Sequence, residues 1–222
     1  MNLLDGWSSL DRFRAQHWLR WAVLGLGVVI VVGIGWAGWA AWKNRYEAQG
    51  AMALAQARTL AAQVQAPGAA ADSRERAEKA LQAVISDYPR LSSVAQAAYL
   101  LGSMRFGAAR YPEARASYEL ALAKAGSSSL ATLASLDIGY CWEAEKNYAA
   151  AEKAYQSVVN GAKPKDFLYE EAMVDIARAQ ELGGKRAAAM ETYQRLLKDL
   201  PDSRRAAEIR SRVASLQPAA KP

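Results

Sequence analysis

The chain of 222 residues carries 28 Lys and Arg against 22 Asp and Glu, a net charge of +6, with both signs intermixed. Nucleic-acid binding calls for a clustered basic face, so this mixing argues against it. One cysteine, Cys141, excludes an internal disulfide, and one histidine, His17 in the leader, excludes histidine-based catalysis or metal binding in the soluble part of the chain.

The first predicted element is a transmembrane helix over residues 21–42, which follows a leader of residues 1–20. The 22 residues from Trp21 to Trp42 carry no charge. At about 1.5 Å per residue they form a helix of roughly 33 Å, enough to cross the hydrocarbon core of a bilayer. Tryptophans, which favour the headgroup region, stand at both ends: Trp18, Trp21, Trp36, Trp39 and Trp42.

A cleaved signal peptide is the alternative interpretation of this segment. Gly38-Trp39-Ala40 before Ala41 has the small-x-small pattern of a cleavage site. The apolar core of a signal peptide has only about 7–15 residues, however, and this run is longer. We therefore expect an uncleaved anchor.

Two glycine patterns lie inside the run. Gly33, Gly35 and Gly38 spell G-x-G-x-x-G, but a dinucleotide site needs a βαβ unit and a later acidic residue, and neither is present. Gly33, Ala37 and Ala41 form a small-xxx-small stripe, where another transmembrane helix could pack closely. We predict a helix contact there, although small residues are common in membrane helices generally.

The positive charges near the span do not decide its orientation. Arg12, Arg14 and Arg20 precede it, and three basic residues follow it within 20 residues. A short basic leader usually stays in the cytoplasm. We therefore expect the large domain outside the cytoplasm.

The rest of the chain is predicted to be all-α. Alanine, leucine, glutamate and lysine dominate, and the alternation of apolar and polar residues that is typical of strands is absent. Residues that break helices are confined to short intervals. Residues 43–94 are assigned to a linker helix and a degenerate repeat, with Ala77, Leu81 and Val84 on its second helix.

Three stretches then repeat with offsets of 37 and 38 residues. A small residue on the first helix is followed after twelve residues by alanine and after sixteen by tyrosine. Small residues let two antiparallel helices pack closely, and the tyrosine fills the space toward the next unit, so the copies must stack. The aligned positions are Gly102, Gly139 and Ala177; Ala114, Ala151 and Ala189; and Tyr118, Tyr155 and Tyr193.

This phasing resembles the tetratricopeptide repeat over residues 95–203, followed by a capping helix and tail over residues 204–222. Pro112 suits the first turn of a helix, and Pro201 suits the end of the third repeat. The departures from the repeat pattern are Arg105, Trp142, Gln180 and Arg186.

Catalytic chemistry is not expected. Cys141 fits a small buried hydrophobe better than a nucleophile. The acidic neighbours Glu143 and Glu145 lie on different faces of a helix, as do Glu170 and Glu171. We predict no enzyme activity, no cofactor, no metal and no small-molecule substrate.

The resemblance implies a binding role for other proteins. In the repeat family, the first helix of each unit lines the inner face of the solenoid. Several of these side chains could instead pack between the repeats. The residues expected to form a peptide-binding groove are Tyr99, Ser103, Phe106, Leu136, Tyr140, Glu143, Val174 and Arg178.

The order of anchor, alanine-rich helix and repeats, with Gly35-Trp36 and then Trp42, resembles the YfgM-type family. That resemblance implies a single-pass protein of the bacterial inner membrane with a periplasmic repeat domain. It also implies an ancillary chaperone or Sec-translocon-associated factor that binds peptide segments. A structural or assembly subunit of a stable inner-membrane complex is the alternative.

Overall fold

The computed structural model describes residues 7–64, 72–166 and 168–217, and these ranges contain nine α-helices and no strand. This confirms the predicted all-α class. The helices are α1 Trp7–Val64, α2 Ser73–Asp87, α3 Ser93–Gly107, α4 Tyr111–Ala125, α5 Ser129–Ala144, α6 Tyr148–Asn160, α7 Tyr169–Leu182, α8 Arg186–Asp199 and α9 Ala206–Leu216.

The chain divides into an N-terminal unit, Met1–Gln49, and a C-terminal unit, Gly50–Pro222. The predicted span, residues 21–42, and the predicted linker helix that follows it lie on one continuous helix, because α1 extends without a break to Val64. Residues 43–64 contain seven alanines and no proline, and the single glycine, Gly50, weakens the helix but does not end it.

The apolar run of the N-terminal unit is exposed at all but one of its described side chains. All but three of the exposed large hydrophobic residues in the described ranges lie between Trp21 and Trp42. A soluble fold rarely leaves so much contiguous apolar surface in water. Val23–Val64 contains the one described segment that is long and apolar enough to cross a membrane, a property it shares with signal sequences.

Aromatic and charged side chains meet where the apolar run ends. The Trp42 and Tyr46 rings stack with centroids 5.6 Å apart, and the Lys43 Nζ lies 5.6 Å from the centre of the Trp39 ring. Lys43 also pairs with Glu47 at 3.7 Å. Such half-polar groups suit the headgroup layer of a bilayer.

In the C-terminal unit, each helix from α2 to α9 packs against the next one along the chain. The small residues and tyrosines of the repeats form its core. A Cβ atom added to Gly102 would lie 2.7 Å from the Tyr118 ring, and one added to Gly139 would overlap the Tyr155 ring. The alanines of the second helices are fully buried: Ala77, Ala114, Ala151 and Ala189. Stacked hairpins of this kind bury faces that none could bury alone.

The turns between the two helices of each repeat share one geometry. The N–H of Arg110 donates to the carbonyl of Arg105, and the N–H of Asn147 donates to the carbonyl of Trp142. Ala109 and Lys146 precede these donors at φ values of 59° and 60°. This is the hydrogen-bond pattern of a Schellman helix end. Pro112 lies in the first turn of α4, as its position predicted.

Two of the departures from the repeat pattern make polar contacts to the second helix of their own repeat. Arg105 donates to the Ser117 hydroxyl at 2.8 Å, and Thr192 donates to the Gln180 amide oxygen at 2.8 Å. A third departure, Trp142 on α5, lies under the guanidinium of Arg115 on α4, 3.5 Å from the ring centre. Hydrogen bonds therefore join the helices within two of the repeats where the usual tyrosine is missing, and a cation–π contact joins the first repeat to the second.

Candidate functional site

The first helices α3, α5 and α7 share one face, which we call the inner face. Side chains from successive helices meet on it through hydrogen bonds and ion pairs. Its central residues are Tyr99, Ser103, Asp137, Tyr140, Glu143, Glu171, Asp175 and Arg178.

A polar network joins α5 to α7. The Tyr140 hydroxyl donates to Asp175 at 2.8 Å and lies 3.1 Å from a Glu171 oxygen. Arg178 donates through two nitrogens to the Glu143 carboxylate, each at 2.9 Å, and a third nitrogen lies 2.6 Å from Asp175. Two-point arginine–carboxylate pairing fixes orientation as well as charge.

The second helix α6 supports this network from behind. The Tyr155 hydroxyl donates to Glu143 at 3.0 Å, and its ring meets that of Tyr140 edge-on at 5.6 Å. Burial, then the negative charge of Glu143, raises the pKa of Tyr155 well above its ordinary value. The hydroxyl therefore stays protonated and remains a donor.

Asp175 is the most buried carboxylate of the inner face, with 3% of its side chain exposed. Burial raises its pKa, while the hydrogen bond from Tyr140 and the charge of Arg178 act in the opposite direction. Because the pKa stays raised, Tyr140 and Arg178 offset only part of the free-energy cost of burying the charged carboxylate.

A second, smaller group joins α3 to α5. The Tyr99 hydroxyl bonds to the Asp137 carboxylate, and burial followed by this bond raises the pKa of Tyr99. The Tyr118 hydroxyl donates to Ser103 at 3.3 Å, and the Tyr99 and Tyr118 rings lie 5.5 Å apart. Burial also raises the pKa of Asp137, against the hydrogen bond from Tyr99.

The predicted groove residues fall into two groups. Leu136 and Val174 are buried between helices, so their side chains are not open to a ligand. The other six are partly exposed: Tyr99, Ser103, Phe106, Tyr140, Glu143 and Arg178. Phe106 packs edge-on against Tyr111, and Tyr99, Tyr140, Glu143 and Arg178 belong to the polar groups above. Peptide binding by these six residues stays a prediction.

Asp137 and Asp175 are not among the residues that the sequence predicted for the site. Each directly precedes the aligned pair of isoleucine and a small residue, in Asp137-Ile138-Gly139 and Asp175-Ile176-Ala177. A carboxylate that recurs at one repeat position inside an apolar helix is a recognisable signal of a buried polar contact.

The predicted helix-contact residues of the span are accessible. Ala37 and Ala41 are exposed, and no atom lies within 4 Å of a Cβ added to Gly33. The side chain of His17 lies outside the described residues.

Cys141 is fully buried. Burial raises the pKa of its thiol to about 12, against the nearby charge of Arg115. A protonated thiol is a poor nucleophile. Within the described ranges, no group of three or more His, Cys, Asp and Glu residues has the geometry to hold a metal ion.

Replacing Asp137 with asparagine is expected to raise the free energy of unfolding at pH 7. Because the pKa of Asp137 is higher in the folded chain than in the unfolded one, its charge destabilises the fold increasingly as pH rises above about 4. Asparagine keeps an acceptor for Tyr99 without the charge. Denaturation of both proteins across pH 4–8 should give a difference that grows with pH. Exposed Asp202→Asn is the control; an equal difference at every pH would contradict the expectation.

The family model of the tetratricopeptide repeat-like domain matches residues 15–217. The match includes both the apolar run and the helical repeats. No curated protein sequence matches the chain.

Proposed function

The chain belongs to the tetratricopeptide repeat-like domain family, and from this premise we propose that it is a membrane-anchored scaffold that binds polypeptide segments of other proteins on its inner face. In this proposal it serves as an ancillary periplasmic chaperone or translocon-associated factor of the bacterial inner membrane. It has no enzyme activity.

The observation that carries the proposal is the distribution of apolar surface. Among the described residues, the C-terminal unit leaves three large hydrophobic side chains exposed, while the other exposed ones all lie in the run from Trp21 to Trp42. A lipid bilayer would cover that run. The part left in water is then a repeat scaffold, which suits interaction with proteins.

The inner face supports binding rather than catalysis. Tyrosine and charged side chains of α5 and α7 lie there in fixed positions, because hydrogen bonds join these two first helices. Rigid aromatic and arginine side chains make effective anchors for a partner because little conformational entropy is lost on binding.

Purification of the full chain from membranes in mild detergent tests this role. We expect many different unfolded or newly translocated polypeptides to accompany it at low stoichiometry. Capture of one membrane protein at equal stoichiometry, with no such clients, would contradict the chaperone role.

A fixed subunit of a membrane complex is the second candidate, and the stripe of small residues Gly33, Ala37 and Ala41 on one helix face favours it. Leucines in place of Gly33 and Ala37 would obstruct close helix approach. If α1 packs on a partner there, this variant should lose that partner while remaining in the membrane. Leucines in place of Gly25 and Gly27, where added Cβ atoms also meet nothing within 4 Å, are the control. If the variant keeps its partner, the Gly33 face makes no helix contact and the span serves only as a membrane anchor.

A further inference from the structure

A cavity of about 500 Å³ lies between the end of α1 and the face of α3, within the C-terminal unit. Its walls are largely apolar but include two guanidinium groups and one hydroxyl. The residues that define this α1–α3 cavity are Arg58, Ala62, Arg74, Leu100, Ser103 and Met104.

One side chain that bridges the later first helices is replaced at the cavity. The repeat offset places Leu100 at the position of Asp137, which bonds to Tyr99 of the preceding first helix. Leucine cannot accept a hydrogen bond, so Leu100 cannot make the equivalent contact to α1. On the facing side, Ala61 and Ala62 add little volume. The gap therefore stays open.

The two arginines of the cavity are exposed, and like several other arginines of the unit they make no ion pair within the described residues. Arg110 pairs with Glu78, and Arg178 pairs with Glu143. Across the described ranges, no carboxylate forms an ion pair with Arg58 or Arg74. Among the described residues, the Arg58 side chain donates to the amide oxygen of Gln96, at 2.6 Å.

Unpaired positive charge beside an open apolar wall complements an amphipathic anion. We propose that the α1–α3 cavity binds a polypeptide segment in which a carboxylate stands next to aliphatic side chains. The carboxylate meets Arg58 and Arg74, and the aliphatic groups pack against Leu100 and Met104. This inference rests on the proposed function, because it takes the ligand to be a polypeptide.

Two short fluorescent peptides with the same leucines, one bearing glutamates and the other lysines at the same places, test the charge preference. Full-length protein in detergent should bind the glutamate peptide and not the lysine peptide. The double variant Arg58→Glu and Arg74→Glu should weaken binding of the glutamate peptide by at least about tenfold. Equal binding of both peptides, or undiminished binding by the variant, overturns the proposal.

The matched control reverses two exposed arginines outside the cavity, Arg90→Glu and Arg210→Glu, with the same change in net charge. It should bind the glutamate peptide as the parent does, and weakening equal to that of the cavity variant would mean that net charge alone sets the affinity. A second variant, Ala62→Phe, fills the space without changing charge. It should also weaken binding, and unchanged affinity would place the peptide elsewhere.

Anionic lipid headgroups share the charge of the proposed ligand, and reconstitution separates the two. Affinity for the glutamate peptide should be the same in phosphatidylcholine and phosphatidylglycerol bilayers. Weaker binding in phosphatidylglycerol that depends on Arg58 and Arg74 would mean that lipid takes the cavity, and this overturns the proposal.

Failure of this proposal is distinguishable from failure of the proposed function. If charge reversal in the cavity does not change peptide affinity while polypeptides still cross-link to the inner face, the cavity proposal fails and the scaffold function stands. If no polypeptide binds anywhere on the C-terminal unit, the scaffold function itself fails.

Discussion

Replacement of Gly139 by alanine is expected to lower the free energy of unfolding of the C-terminal unit by about 2–3 kcal/mol. An added Cβ would overlap the Tyr155 ring, which is fully buried. The ring cannot easily withdraw, because Tyr140 meets it edge-on and its hydroxyl is bonded to Glu143. The helix pair would have to separate to accept one methyl group. Chemical denaturation followed by circular dichroism measures the loss.

Gly107→Ala is the matched control for this substitution. Gly107 also lies in a first helix, but a Cβ added there meets no atom within 4 Å. Alanine has the higher helix propensity, so this variant should be as stable as the parent or more stable by up to about 1 kcal/mol. Equal stability of Gly139→Ala and Gly107→Ala would contradict the close packing of the small residue against the tyrosine.

Replacement of Arg178 by methionine is expected to lower the free energy of unfolding by about 2–4 kcal/mol at pH 7. The change leaves the carboxylates of Asp175 and Glu143 without their cation. This loss of unfolding free energy is smaller than that expected for a fully buried ion pair, because the Arg178 side chain is 39% exposed. Exposed Arg210→Met should change stability little.

The pH dependence of this variant identifies the cause of the loss. Arg178 lowers the pKa of Asp175, so its removal raises further a pKa that burial has already raised. A folded-state pKa above the unfolded value means that the fold gains stability as the pH falls through the folded pKa. Arg178→Met should therefore lose most at pH 8 and approach the parent near pH 4. A loss that is constant across this range would indicate lost packing instead of unpaired charge.

The sequence predicted those parts of the fold that depend on periodic spacing. The alternation of small residues and tyrosines identified the helix pairs, and buried Ala114, Ala151 and Ala189 lie where that pattern requires. Pro112 identified the start of α4 because its missing N–H is tolerated only in the first turn. Such features are local, so the chain itself specifies them.

The features that sequence analysis missed depend on distances between helices. Leu136 and Val174 occupy inner-face positions by spacing, but adjacent repeats approach closely enough to bury both. The sequence contains Asp175, but nothing in it gives the depth at which the carboxylate lies or the partners that surround it. The α1–α3 cavity likewise arises from the distance between two helices. These properties belong to the packed solenoid and not to a single repeat.

Under the proposed function, a membrane tether would hold the inner face near a bilayer. Confinement of this kind raises the local concentration of a scaffold around polypeptides at the same membrane, so moderate affinity would be sufficient for frequent contact.

Site-specific photo-cross-linking in intact membranes tests most directly whether the inner face binds polypeptides. A photoreactive phenylalanine is placed at Tyr99 or Glu171 on the inner face, and at exposed Glu119 or Lys153 on the second helices. We expect polypeptide adducts from the two inner-face positions, in the membrane fraction, and few from the two second-helix positions. Adducts confined to Glu119 and Lys153, or equal at all four positions, would contradict the account.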